Sequence, residues 1–197
     1  MTQDASKIDL PQSDITYYPN FLTSKNATQL MSILRTTIAW QQDTITVFGK
    51  TYPQPRLTAL YGNNMQPYSY SNITMYPHPF TKELKEVKTY IESLISPSVF
   101  TSCLLNLYRD GKDSNGWHAD DEASLGRDPV IASVSLGQER FFHFKHKKDK
   151  SLKHKMLLTH GSLLIMKGST QHNWLHQVPK TSRDIGERIN LTFRVIL

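Results

Sequence analysis

From Phe100 to the C-terminus the apolar residues fall in short β-type runs separated by turn signals, with no helical stripe of useful length between them. The runs are Ser102–Tyr108, Val130–Leu136, Arg140–Lys145, Met156–Leu158, Ser162–Lys167 and Arg188–Leu197. Parallel strands need long, usually helical crossovers between them, so this order argues against a parallel α/β sheet. It predicts a mainly β, α+β chain: an antiparallel sandwich or barrel with helices buttressing one side. Two helices are readable ahead of it. Ala27, Leu30, Met31, Leu34 and Ile38 form one stripe, with Thr23 and Ser24 available as caps. Leu84, Val87, Ile91 and Leu94 form another, following Thr81 and stopping near Pro97.

No repeat or low-complexity linker divides the 197 residues, which predicts a flexible lead-in over 1–14 and one domain over 15–197. No run of eighteen or more apolar residues offers a helical membrane span, and Met1 to Ser13 lack the layout of a secretory signal. Cys103 is the single cysteine and lies in an apolar run, which predicts a buried thiol and a reducing, intracellular setting: cytoplasm in a bacterium, nucleus in a eukaryote. Any metal site must then use histidine and carboxylate. The net charge of +6 favours an acidic partner, nucleic acid foremost.

The segment Trp117-His118-Ala119-Asp120-Asp121-Glu122 follows a glycine-containing loop. In extended chain an H-x-D pair puts both side chains on one face. With a second histidine from a distant strand it makes the two-histidine, one-carboxylate face that suits non-heme iron and leaves positions open for cosubstrate and oxygen. Spacing does not choose that histidine. His172 and His176 lie one helical turn apart, and His143, His146, His154 and His160 are competitors, although His146 and His154 sit among lysines and read as solvated.

The last run alternates cleanly. Ile189, Leu191, Phe193 and Val195 face one way; Arg188, Asn190, Thr192 and Arg194 face the other. If the polar face turns inward, its arginines can fork onto the carboxylates of a diacid. Six residues of strand at ~3.3 Å each separate Arg188 from Arg194 by roughly 20 Å, so they serve different ends of a site. Asn106 and Tyr108, on one face of an earlier strand, can add neutral hydrogen bonds.

Together, Asn106-Leu107-Tyr108, His118-Ala119-Asp120, Leu158-Thr159-His160-Gly161-Ser162-Leu163-Leu164, His176 and Arg188-x-Asn190-x-Thr192-Phe193-Arg194 resemble the AlkB family of nucleic-acid dioxygenases over about residues 15–197. The resemblance implies a double-stranded β-helix, or jelly roll, with N-terminal helices and a nucleotide-recognition lid over about 41–75. It implies Fe(II) held by His118, Asp120 and His176, with 2-oxoglutarate as cosubstrate and O2. Arg194 would take the distal carboxylate of 2-oxoglutarate. Asn106, Tyr108 and Asn190 would line its pocket, and Arg188 would sit at the metal end, steadying Asp120. The implied activity is oxidative dealkylation of N-alkylated bases, releasing aldehyde, succinate and CO2.

A base must leave the stack to reach an enclosed metal, and an apolar wedge can fill the gap. Ile45-Thr46-Val47-Phe48-Gly49-Lys50 reads as a hairpin with Phe48 near its tip, and it resembles the intercalating finger of AlkB homologues that act on duplex DNA, as do the following Arg56 and Tyr61-Gly62. By the same resemblance Tyr70 would stack on the flipped base, Tyr68 would lie at the rim, and Glu122 would contact the base. Trp117 is expected to pack rather than to touch substrate, and Trp40 and Trp174 to be core. Six lysines in eleven residues (Lys145, Lys147, Lys148, Lys150, Lys153 and Lys155), with Lys180 and Arg183 as a second loop, read as phosphate contacts. The expected partner is DNA, duplex in preference to single strand or RNA, engaged by a monomer. A non-catalytic nucleic-acid-binding module is the alternative from outside enzymology.

Overall fold

The chain runs β1 (Ser6–Ile8), β2 (Asp14–Tyr18), α1 (Ser24–Thr37), β3 (Thr44–Val47), β4 (Lys50–Pro53), β5 (Leu57–Gly62), β6 (Tyr68–Tyr70), β7 (Ile73–Met75), β8 (His78–Pro79) and α2 (Lys82–Leu94). It continues with β9 (Ser102–Tyr108), β10 (Asn115–His118), β11 (Ile131–Gly137), β12 (Arg140–His146), β13 (Lys153–Leu158), β14 (Ser162–Lys167), α3 (Thr170–Asn173), β15 (Trp174–Val178) and β16 (Arg188–Arg194). These elements come from a computed structural model that describes residues 4–47, 49–64, 66–70, 73–95 and 99–197. Eight strands form the major sheet in the order β1-β2-β14-β11-β16-β9-β5-β8, and four form the minor sheet, β10-β15-β12-β13. Every pairing in them is antiparallel except β5 with β8. The result is a double-sheet jelly roll, as the run pattern predicts.

The period-two alternation sorts the core into two layers. On β16, Ile189, Leu191 and Phe193 join Cys103, Leu105 and Leu107 of β9 and the stripes of both helices in one cluster behind the major sheet. α1 and α2 follow their stripes, with Thr23 and Thr81 accepting a backbone N–H as N-caps. Leu104, Tyr108, Ile131 and Met166, from the opposite face, pack against Phe142, Phe144, Trp174 and Val178 of the minor sheet. Because β16 is central, all seven of its residues are buried and its polar face is an interior wall. Cys103 is fully buried, and desolvation pushes its thiol well above the ordinary range.

The lead-in expected to be flexible up to residue 14 is instead structured from β1. Ser6 to Ile8 pair with β2, Pro11 accepts from the indole of Trp174, and His146 bonds to Gln12. His146 is therefore buried, not solvated, because the N-terminal segment covers it. His154 is half-buried, and its Nε2 finds no hydrogen-bond partner among the described residues. Short β10 and β15, too polar to stand out as runs, complete the minor sheet. The expected hairpin is present as β3–β4, turning through Gly49 at φ +75°, a conformation that favours glycine.

Candidate active site

Both ends of one cavity are built by the inner faces of the two sheets. It measures about 320 Å³ and is lined by Asn106, Tyr108, Arg188 and Asn190 as well as by His118, Asp120 and His176. The last three bring one ligand atom each to within 4.8 Å of one another. His172 is excluded by the chain itself. α3 ends at Asn173, so His172 stays on an exposed helical turn with an ion pair to Asp128 at 2.9 Å, while His176 points inward from β15.

Each ligand is oriented by a second group. His118 lies opposite His176 in the β10–β15 pairing, with ring centroids 4.2 Å apart. Its Nδ1–H donates to the Gly116 carbonyl at 2.7 Å, which leaves the Nε2 lone pair facing inward. Phe142 stacks on the His176 ring at 5.1 Å. Burial, then the neighbouring His118, pushes His176 down to about 3, so it is neutral at physiological pH. Burial alone would raise Asp120, but Arg194 and the two histidines draw it down to about 2, so it is ionised. Both stand in the protonation state that metal binding requires.

Asp120 lies beyond the end of β10, where no ladder holds it. Two contacts replace the ladder: Arg194 Nη2 donates to Oδ1 at 2.6 Å, and the Asp120 backbone N–H donates to Oε1 of Gln171 at 2.9 Å. Gln171 is fully buried on α3, and sequence reading did not single it out because its partner is 51 residues away. Replacing Gln171 with methionine keeps the volume and removes the acceptor. We expect Co(II) affinity, measured by equilibrium dialysis, to fall about 10- to 100-fold, as losses of outer partners do.

The arginines exchange the places expected of them. Arg194, expected at the distal carboxylate, is the partner of Asp120. Arg188, expected to steady Asp120, lies at the other end, 1% exposed, donating to Ser135 Oγ at 2.9 Å with its guanidinium 5.2 Å from the Tyr108 ring centre. The register decides this: Arg188 pairs with Tyr108 and Arg194 with Ser102, and the Ser102 end of β9 is the end that approaches Asp120. Arg188 Nε and Nη1 find no hydrogen-bond partner among the described residues, and no carboxylate there pairs with it. A buried guanidinium with two idle donors fits an anionic ligand, and a metal triad in the same cavity fits a chelating one. Asn190 is fixed by Ser133 Oγ and the Val134 carbonyl, and it accepts from Thr192.

The remaining expected contacts divide. Glu122 is half-buried in the cavity lining. Arg56, expected beside the substrate, is buried and donates from Nε to Asn106 Oδ1 at 2.7 Å and from Nη1 to the Ser114 carbonyl, so it braces the cavity wall. Phe48 lies outside the described residues. Tyr68 and Tyr70 fall on β6, which pairs with β7, and their side chains lie outside the described residues. Trp117 is not packed away as expected; it is 38% exposed, with Lys145 Nζ 4.4 Å above its ring. Trp40 packs against the first cluster and Trp174 is buried, as expected. Of the lysines, only Lys147, Lys148 and Lys150 occupy a turn, and Lys147 pairs with Asp121 at 2.7 Å. Lys145 lies on β12, Lys153 and Lys155 on β13, and Lys180 and Arg183 are exposed on the segment before β16.

A jelly roll with a His-Asp-His cluster and a buried arginine opposite is the architecture of iron- and 2-oxoglutarate-dependent oxygenases. Residues 14–194 match the model of the 2OG-Fe(II) oxygenase superfamily. The chain is 44% identical over 193 residues to the alpha-ketoglutarate-dependent dioxygenase alkB homolog 3 of Mus musculus, covering 93% of this chain and 66% of that protein. It is 39% identical over 216 residues to the DNA oxidative demethylase ALKBH2 of Arabidopsis thaliana, covering 94% and 67%. The solved structure of OsALKBH1 shares the fold, with a TM-score of 0.63 at 20% identity over 95% of this chain and 100% of that one. The chain belongs to the AlkB-type dioxygenases of the 2OG-Fe(II) oxygenase superfamily. It spans about two thirds of the length of these curated relatives.

Proposed function

We propose that this chain oxidatively dealkylates N-alkylated bases in DNA. One observation carries the reading: Arg188, a buried guanidinium with idle donors, opens into the same cavity as His118, Asp120 and His176. An oxidative demethylase of DNA among the relatives supports it. With Fe(II), 2-oxoglutarate and O2 the bound group would supply hydroxylation of the N-alkyl carbon, with aldehyde, succinate and CO2 as products.

The residues of the chain supply position and electrostatics. His118, Asp120 and His176 would hold the iron on one face. Arg188 would fork onto the distal carboxylate of 2-oxoglutarate, with Tyr108, Asn106 and Asn190 along its length. Arg194 keeps Asp120 ionised and aimed, and the apolar rings of Phe142 and Phe144 exclude water behind His176. On the substrate side Tyr70 would stack on the flipped base and Glu122 would read its edge.

The preference for duplex rests on the β3–β4 hairpin, whose turn carries Phe48 beside Gly49. Phe48 would fill the gap left by the flipped base, and the lysine-rich turn would hold phosphates without reading sequence. Succinate release stimulated by methylated duplex DNA, with His118→Ala as control, tests the assignment; no stimulation by any methylated nucleic acid refutes it. Phe48→Ala should lower turnover on methylated duplex about tenfold and leave single strands nearly unaffected, since paired DNA alone needs a wedge. Equal loss on both would refute the wedge.

A further inference from the structure

The outer face of the minor sheet has no role in the scheme above. Alternation along β10, β12 and β13 turns Trp117, Phe141, His143, Lys145, Lys153, Lys155 and Leu157 away from the cavity, and no carboxylate lies among them. Cations stand directly opposite one another there: Lys145 faces Lys153, and His143 faces Lys155. Like charges in that position destabilise a sheet, and none of these three lysines has an acidic partner among the described residues.

The face also presents two aromatic rings in the same manner. Trp117 and Phe141 are each 38% exposed, and each lies beneath one lysine, Lys145 at 4.4 Å and Lys155 at 3.6 Å from the ring centre. A lone exposed aromatic is unremarkable. Two on one face, each capped by a cation with no acid to go to, form a pattern suited to a strand that offers both bases and phosphates. A cation over an exposed ring is weakly held and can exchange the ring for a phosphate, uncovering the ring for a base. The face is continuous with the active site at one end, because Trp117 also lines the main cavity. At the other end Phe141, Lys155 and Leu157 join Lys180 and Arg183 around a cleft of about 460 Å³, in which Glu139 is the one carboxylate among the described lining residues.

We propose that this face is a second nucleic-acid surface, on which single-stranded DNA flanking the alkylated nucleotide stacks on Phe141 while Lys155, Lys180 and Arg183 hold its phosphates. The proposal rests on the reading that the substrate is nucleic acid and extends it to a surface remote from the metal. It gives a single strand a grip that needs no wedge.

The test is binding of an unmethylated, fluorescein-labelled oligothymidylate about 30 nucleotides long, followed by anisotropy at several salt concentrations. Phe141→Ala should weaken binding about tenfold, and Phe141→Trp should restore it, because stacking needs a ring of either kind. Lys155→Gln should reduce the slope of log affinity against log salt by about 0.7. Phe141 is exposed, so its variants should melt with the wild type. Unchanged affinity in Phe141→Ala overturns the proposal, as does competition by polyglutamate equal to that by unlabelled oligothymidylate, which would mark a surface for acidic protein. Succinate release on a short methylated oligonucleotide, confined to the cavity, is measured beside it. Its absence refutes the dealkylation reading, and loss of Phe141-dependent binding alone refutes the second surface.

Discussion

Arg188→Met should raise the 2-oxoglutarate concentration for half-maximal turnover by about 10²- to 10³-fold while leaving Co(II) affinity within a few-fold of wild type. A carboxylate buried without its partner loses about 3–5 kcal/mol, which converts to that range. The same substitution should leave the melting temperature of the metal-free protein unchanged or higher. It removes a buried cation that has no acidic partner among the described residues and fills the space with an apolar chain. Arg188→Lys should not rescue the cosubstrate, because an ammonium cannot fork onto two oxygens. Arg194→Met should show the reverse pattern: metal affinity falls, since Asp120 loses the contact at 2.6 Å, and the cosubstrate constant moves little. Interchanged outcomes for the two variants would restore the roles expected from the motif alone and overturn those read from the geometry.

The second large effect is expected at Asp120. Asp120→Ala should abolish measurable succinate release and weaken Co(II) binding beyond the roughly 10- to 100-fold typical of an outer partner. It should also destabilise the metal-free protein by about 3–5 kcal/mol at neutral pH, because Arg194 stays buried without its carboxylate. The pH dependence has a definite sign. In the folded chain the Asp120 carboxyl is held at about 2, below its value in an unfolded chain, so the unfolded state takes up the proton first as pH falls. Its contribution to stability is complete above about pH 4 and is lost as pH drops through about 2. Thermal melts of metal-free wild type and Asp120→Ala should therefore converge at the acid end and diverge toward neutrality. A constant gap across that window would mean that the carboxylate is not held down by Arg194.

Much of this architecture is legible in one dimension. The strands β9 and β14 lie where their runs place them, and α1 and α2 begin at their threonine caps, since these features depend on local propensity and period. The short polar strands β10 and β15 were missed because each takes its order from neighbours on both sides in the sheet. β1 was missed for the same reason. Gln171 and Arg56 carry no local signature; each matters through a partner fifty residues or so away.

By itself, the sequence determined the alternation that puts Arg188, Asn190, Thr192 and Arg194 on one face, the H-x-D pair and the supply of lysines. Those follow from covalent geometry and residue type, which are local. Only the tertiary structure decided that this face is an interior wall, that His176 and not His172 completes the metal cluster, and that Arg194 belongs to the metal while Arg188 waits at the far end. Strand register and the break between α3 and β15 make those decisions, and pairing energies between residues distant in the chain set them.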